Sequence, residues 1–585
     1  MRHRRFFIGM AILVLLLYFF LKPNNDAILG IDTGYAAMGR ASGWMQLIAD
    51  ITNHNTQNAI FVDGRNTGIE TGDAMLLEAE NGTEETTSDM QWYVKLEELT
   101  DLLKCYVGYC DDTHLIVQRG NNRLCFCVED GSLTLNGEDI LKNQQNAFLW
   151  EEDSLYISAA ILSDAFGYQL AWQQENNQID FSLADGVENR IYPVNYDYRL
   201  ENRMPTVRNQ GENGDCWAFA AIAAMESSIA GGLNTELETS LSVDHMILHN
   251  NCNEGHNNGG NSAFSVAYLL SWNGPVSEAD DPYNDGTSDG DLVEIMHLQS
   301  IHYLESKDYD GIKEDVFLYG GVQTSIYMDE SSASNYYNSA NASYCYIGTE
   351  KINHDIVIVG WDDNYPKENF LMEPEGNGAF ICINSWGSDF GEEGCFYVSY
   401  YDSNIGMYNC SYIGIESSDN YDNIYQSDLC GMVGMLGYGS ETAYFANHYK
   451  TKNAESLEAV GFYCVGPDTT YEIYVETGVE DYDSLSLSHM LTSGTCTEAG
   501  YYTISLDEAY ELEADEDFVV AVKITTPGTE EPIAIEYAQT DTGLYGVEAD
   551  ICDGDGYISA KGKYWSNVEQ SQQANVCLKA YTINQ

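Results

Sequence analysis

Positive charge is what this sequence most lacks. It carries 25 Lys and Arg against 92 Asp and Glu, a formal net charge of −67. A surface this negative repels phosphate backbones, which excludes nucleic acid as a partner. The chain also lacks a disordered composition, since 44% of its residues are apolar and 12% aromatic, with 43 Tyr and 9 Trp. Disordered chains do not reach that density of aromatic and branched residues. Its 15 cysteines are spread out rather than clustered as in a small disulfide scaffold. Their odd number leaves a thiol over if the others pair, and sequence alone gives no connectivity.

What is present begins with an export signal. Met1-Arg2-His3-Arg4-Arg5 is followed by an apolar run from Phe6 to Leu21, interrupted mildly by Gly9 and Tyr18. A basic start and an apolar stretch of this length lie between a cleavable signal and a spanning helix. No small-x-small cleavage site follows in Lys22-Pro23-Asn24-Asn25-Asp26. Residues 1–25 therefore read as an uncleaved anchor in the membrane, with a cleaved signal peptide as the alternative. Either way the remainder is expected outside the cell, anchored at the membrane face or secreted.

At roughly 100–200 residues per domain, the length predicts about three or four domains. Residues 55–185 read as two copies of a hairpin, short helix and strand unit. Phe61-Val62-Asp63-Gly64 and Leu133-Thr134-Leu135-Asn136-Gly137 both enter a tight turn. The segments starting at Tyr93 and Tyr156 match each other, and alternating strands follow at Cys105–Tyr109 and Tyr168–Trp172. The unit resembles the stalk-type module named for the N-terminal part of copper amine oxidases, which implies a spacer or binding role and no copper chemistry.

Residues 420–585 alternate like antiparallel strands, for example Tyr471-Glu472-Ile473-Tyr474-Val475 and Phe518-Val519-Val520-Ala521-Val522. Period-two strands separated by turn residues predict a β-sandwich. With Leu436-Gly437-Tyr438-Gly439-Ser440 and Ala459-Val460-Gly461-Phe462-Tyr463 at its start, the segment resembles the lectin-like domain that follows some bacterial papain-type peptidases. A glycan or cell-wall ligand is the partner this resemblance suggests for it.

The middle third carries the chemistry. Gln210-Gly211-Glu212-Asn213-Gly214-Asp215-Cys216-Trp217 leads into an Ala-rich stretch stopped by Gly231-Gly232. The pattern predicts a helix with Cys216 at its N-terminus, where the helix dipole favours the thiolate. Far downstream, His354 heads an apolar strand in Asn353-His354-Asp355-Ile356-Val357-Ile358-Val359-Gly360-Trp361, and Phe380-Ile381-Cys382-Ile383-Asn384-Ser385-Trp386-Gly387 ends another. Cys, then a distant His and Asn, is the order of the papain-like cysteine peptidases, and residues 190–416 resemble that family.

The resemblance implies an α+β core of two lobes, the helical lobe carrying Cys216 and the sheet-rich lobe carrying His354 and Asn384. It implies Cys216 as nucleophile, His354 as acid and base, Asn384 as the group orienting His354, and Gln210 as an oxyanion donor. It implies Gly259 and Gly260, with Asn258, as the backbone that pairs with an extended protein or peptide substrate. Trp386 is expected beside the His–Asn pair and at the substrate. No cofactor and no metal are expected. The family often has a Cys near position 213 pairing with one before the glycine pair; Asn213 stands there, so Cys252 is free or paired elsewhere.

Three further readings complete the expectations. Asp215 is expected to oppose thiolate formation at its neighbour. His245, His249 and His256 have a spacing that suggests zinc, but read as solvated histidines. Asp550-Ile551-Cys552-Asp553-Gly554-Asp555-Gly556 hints at calcium, but lacks the spaced acids of an EF-hand and reads as a turn. Two rival functions remain: a transpeptidase or cell-wall peptide hydrolase using the same dyad, and an inactive surface binding protein.

Overall fold

A computed structural model describes residues 58–585 except 80–89, 112, 141–146, 152–153, 233–239, 253–254, 257–258, 330–333, 480–484, 539–548 and 552–554. The N-terminal segment and the middle of the calcium-like turn, residues 552–554, thus lie outside the described residues. Among the described residues no helix is long and apolar enough to cross a membrane.

The N-terminal elements follow one another in this order. The hairpin Ala59–Val62 and Arg65–Glu70 turns at Asp63-Gly64, both with positive φ, as a two-residue hairpin requires. Strand Met90–Lys95, helix Leu99–Leu103 and strand Tyr106–Asp111 follow. The second copy runs through Leu133–Leu135, Ser154–Ser158, helix Ala159–Phe166 and Tyr168–Gln173.

The described residues form two compact units, residues 58–94 with 162–187 and residues 95–161 with 188–585. In the first, Gln178–Leu183 pairs with Tyr168–Gln173 and, in parallel, with Ala59–Val62. The second unit takes in residues 95–161, which the sequence groups with the stalk. The reason is a buried cation. Arg203 is fully buried between the rings of Tyr106 and Tyr198, 4.6 and 4.5 Å from their centroids. It donates to the carbonyls of Phe317 and Tyr319 at 2.9 and 2.7 Å. Arg123 adds an ion pair to Glu201 at 2.5 Å.

In the same unit, helix Cys216–Gly231 is buried on nearly every side, as its almost wholly apolar sequence demands. It packs against helices Val243–His249 and Ser262–Leu270 and against strand His354–Asp362. That strand pairs antiparallel with Val322–Ile326 on one side and Ala379–Ile383 on the other. The sheet then continues through Asn409–Ser417 and Met296–Leu304 into the C-terminal region, where Ser300 faces Tyr502 across Gly500–Leu512. Glu455–Cys464 and Leu578–Asn584 extend it further.

A second sheet, ordered Met490–Cys496, Thr469–Thr477, Asp517–Thr525, Thr442–Lys450, Gly556–Ser559 and Ser566–Asn567, completes a β-sandwich. Its core includes Phe445, Val460, Phe462, Ile473, Phe518, Val522 and Leu578. The architecture is the expected α+β core followed by an antiparallel sandwich, but one sheet runs through both.

Candidate active site

Helix Cys216–Gly231 begins at the residue expected as nucleophile, which is partly exposed while Trp217 behind it is buried. The helix is held in place by a carboxylate on its inner face. Glu226 is 2% exposed, pairs with Arg208 at 2.5 and 3.0 Å, and accepts from the backbone N–H of Thr206 and Leu241 at 3.0 Å each.

His354 and Asn384 stand at the ends of neighbouring antiparallel strands, joined by the register Val357 to Ile383. His354 Nε2 lies 2.8 Å from Asn384 Oδ1. An amide oxygen only accepts, so the proton sits on Nε2 and Nδ1 is left as the basic nitrogen. Both residues are buried, and the Trp386 ring packs 5.1 Å from the His354 ring. Asn384 Oδ1 also accepts from the Ser385 N–H at 2.8 Å, which fixes the amide in turn.

Burial pushes the Cys216 thiol up to about 12, and the Asp355 carboxylate adds to the rise. Hydrogen bonds from the backbone of Asp355 and Trp217 pull it back, and Asp215 contributes least of these. One of these two backbone influences comes from its own helix and the other from the residue after His354. Burial brings His354 down to about 4, against the hydrogen bond to Asn384. Each group alone is therefore held neutral by loss of water.

Gln210 is buried with its side chain locked at both ends. Ser385 Oγ donates to its Oε1 at 2.5 Å, its Nε2 donates to the Asn213 carbonyl at 2.7 Å, and its N–H reaches the Ser385 carbonyl at 2.8 Å. Gly259 has φ of +73°, a conformation that glycine adopts without penalty. A Cβ on Gly260 would fall 2.5 Å from the Trp217 ring. Only glycine lets this backbone lie so close to the first turn of helix Cys216–Gly231.

The structure corrects the reading of the three histidines as solvated. His245 is buried, with Nδ1 2.7 Å from Tyr268 Oη and Nε2 donating to the Asp289 carbonyl at 3.2 Å. His249 Nε2 reaches Ser288 Oγ at 2.8 Å. His256 bridges two buried carboxylates, Nδ1 at 2.7 Å from Asp215 Oδ2 and Nε2 at 3.2 Å from Asp244 Oδ1. The sequence pattern fails here because two of the three lie on helix Val243–His249, which packs against the nucleophile helix.

Asp215 is likewise engaged, by His256 and by Tyr283 Oη at 2.9 Å. The more influential neighbour of Cys216 is Asp355, which sequence reasoning missed. Asp355 accepts from Ser325 Oγ at 2.6 Å and Gln323 Nε2 at 2.9 Å. Its position next to His354 was the one available signal. Ser385 was missed too, although it directly follows Asn384.

Residues 192–418 match the papain family of cysteine proteases. This region is a papain-family cysteine protease domain. Residues 424–582 match the lectin-like domain. Over 297 residues the chain is 28% identical to the viral cathepsin of Heliothis zea nuclear polyhedrosis virus, covering 47% of this chain and 73% of that protein. It is 29% identical to bovine cathepsin S over 212 residues, covering 35% of this chain and 60% of that one.

Two solved structures of the clostridial cysteine protease Cwp84 share its architecture. The protease after propeptide cleavage superposes with a TM-score of 0.59 at 25% identity, over 67% of this chain and 99% of that one. The cysteine protease and lectin-like domains of Cwp84, a surface layer associated protein of Clostridium difficile, give 0.58 at 25% identity, over 67% and 89%. The papain-family protease and lectin-like sandwich thus occur together in both chains.

Proposed function

We propose that this chain is an extracytoplasmic cysteine peptidase that cleaves peptide bonds through a Cys216 thioester. The observation that carries the reading is the buried His354–Asn384 hydrogen bond beside a thiol at a helix N-terminus. His354 Nδ1 takes the Cys216 proton as the sulfur attacks the substrate carbonyl, then passes it to the leaving amine. Water, deprotonated by the same nitrogen, hydrolyses the thioester and returns the thiol. The Cys216 N–H and the second N–H of Gln210 Nε2 receive the oxyanion. Asn384 holds the imidazole in its working tautomer, and Trp386 screens that bond from water. Gly259 and Gly260 present backbone to an extended substrate.

The signal-like sequence of residues 1–25, the strongly acidic composition and the likeness to Cwp84, a surface layer associated protein, support an extracytoplasmic site of action, tethered to the membrane or released. The lectin-like match supports a carbohydrate of the cell surface as the ligand of residues 420–585. Because one sheet runs through protease and sandwich, glycan binding is best measured on the full chain.

Labelling by an epoxysuccinyl cysteine-peptidase probe, read by intact mass across about pH 4–9, tests the catalytic reading over the range of ordinary His and Cys pKa values. Rapid single-site labelling, lost in Cys216→Ala and slowed in His354→Ala, is expected. Labelling only above about pH 8, as for an ordinary thiol, would overturn it.

A further inference from the structure

Cys252 answers the question its sequence position raises. It lies on the segment leading to His256, Gly259 and Gly260, and its neighbour comes from the other domain. Cys252 Sγ is 3.9 Å from the Cys430 carbonyl, and Cys430 Sγ donates to the Asn251 carbonyl at 3.2 Å. Asn251 Nδ2 donates to the Leu429 carbonyl at 3.1 Å, so the two segments interlock on both sides of the thiols. Cys252 is 6% exposed and Cys430 4%. The contact with the Cys252 thiol is also the foremost influence raising that of Cys430, ahead of burial. Across the pair the chain returns after 178 residues, from the protease to the start of the sandwich.

The geometry points to Cys252 and Cys430 as a dithiol site that closes to a disulfide, locking the protease segment before the glycine wall to the lectin-like domain. The oxidant is a low-molecular-weight disulfide. The thiolate of one cysteine attacks an oxidant sulfur and expels one thiolate. The second cysteine thiolate attacks the resulting mixed disulfide at the protein sulfur and expels the other. Two S–H bonds are lost and one S–S bond forms in the protein. Two electrons and two protons leave on the two released thiols. Burial makes the closed disulfide difficult for a soluble reductant to reach, and makes its formation depend on opening of the segment or on folding.

The test uses the full chain carrying Cys216→Ala, which removes the nucleophile from exchange. It is incubated with glutathione disulfide, alkylated, digested and mapped by mass without reduction. The expected result is one peptide pair joined through Cys252 and Cys430, with alkylation lost at both and restored by dithiothreitol. Cys252→Ser should abolish that pair. Cys464 and Cys496, whose thiols also bond each other, would give a cross-link of different mass and do not interfere. Alkylation at both Cys252 and Cys430 after oxidation, glutathione retained separately on each, or Cys252 joined to another cysteine would overturn the proposal. The map of the Cys216→Ala chain decides the matter even where Cys252→Ser fails to fold.

Discussion

The two walls of the candidate site are built by different means. On the sheet wall, His354 and Asn384 end neighbouring strands, and backbone hydrogen bonds set their register. On the helix wall, Cys216, Gln210 and Gly260 come from segments that share no ladder. There, apart from the Gln210 N–H bond to the Ser385 carbonyl, the work falls to side chains: Arg208 on Glu226, Ser385 on Gln210, and Asp215 shared between His256 and Tyr283. A backbone ladder tolerates side-chain change, whereas a wall held by side-chain pairs does not, so the helix wall is where substitution should disturb folding as well as chemistry.

The comparison breaks or sharpens with a graded set of measurements. The largest effect belongs to the sheet wall. His354→Ala should lower kcat/KM by about 10⁴, the upper range for a general acid–base, with unchanged far-UV circular dichroism. Loss of folded signal instead would mean that the sheet wall depends on its side chains. Next comes Glu226→Gln, which leaves Arg208 unpaired. Breaking a buried pair costs about 3–5 kcal/mol, readable as a lowered urea midpoint. An unchanged midpoint would remove the main support for the contrast.

Gln210→Ala should cost about 10²–10³ in kcat with little change in KM, as for other oxyanion donors. Single-turnover kinetics on a peptide ester would check it.

Two buried groups give pH windows of opposite sign. His354 is lowered from 6.5 to about 4, so the unfolded chain binds the extra proton between those values. Its contribution is present above 6.5 and lost as pH falls through about 4, by about 3 kcal/mol from that shift. In the sandwich, burial raises Glu536 from 4.5 to about 7. The folded chain holds that proton, so its contribution is full below 4.5 and lost as pH rises through 7, again by about 3 kcal/mol. Urea titrations of His354→Gln and Glu536→Gln across pH 4–8 should flatten opposite limbs of the stability curve.

The smallest effect is electrostatic. Asp215→Asn should lower the pH midpoint of Cys216 alkylation by less than Asp355→Asn does, since Asp355 bears more heavily on the thiol. The reverse order would restore Asp215 to the importance its sequence position suggests.

Much of this was legible in the residues because it is local. An Ala-rich stretch with a glycine stop dictates the nucleophile helix, apolar runs ending in His354 and Asn384 dictate two strands, and Asn-Gly or Asp-Gly dictates each hairpin. The histidines were misread because spacing along the chain says nothing about which face a neighbouring helix covers.

By itself, then, the sequence determined the kinds of element, the order of the chemistry-bearing residues and the α+β-then-sandwich plan, all of which follow from short-range propensity and pattern. Only the tertiary structure decided that Asp355 and not Asp215 weighs most on Cys216, that His256 joins two carboxylates, that residues 95–161 share a unit with the protease around Arg203, and that Cys252 meets Cys430. Each of these depends on burial and on contacts between distant segments. Desolvation and charge pairing act through space, and their distances are set by packing rather than by position in the chain.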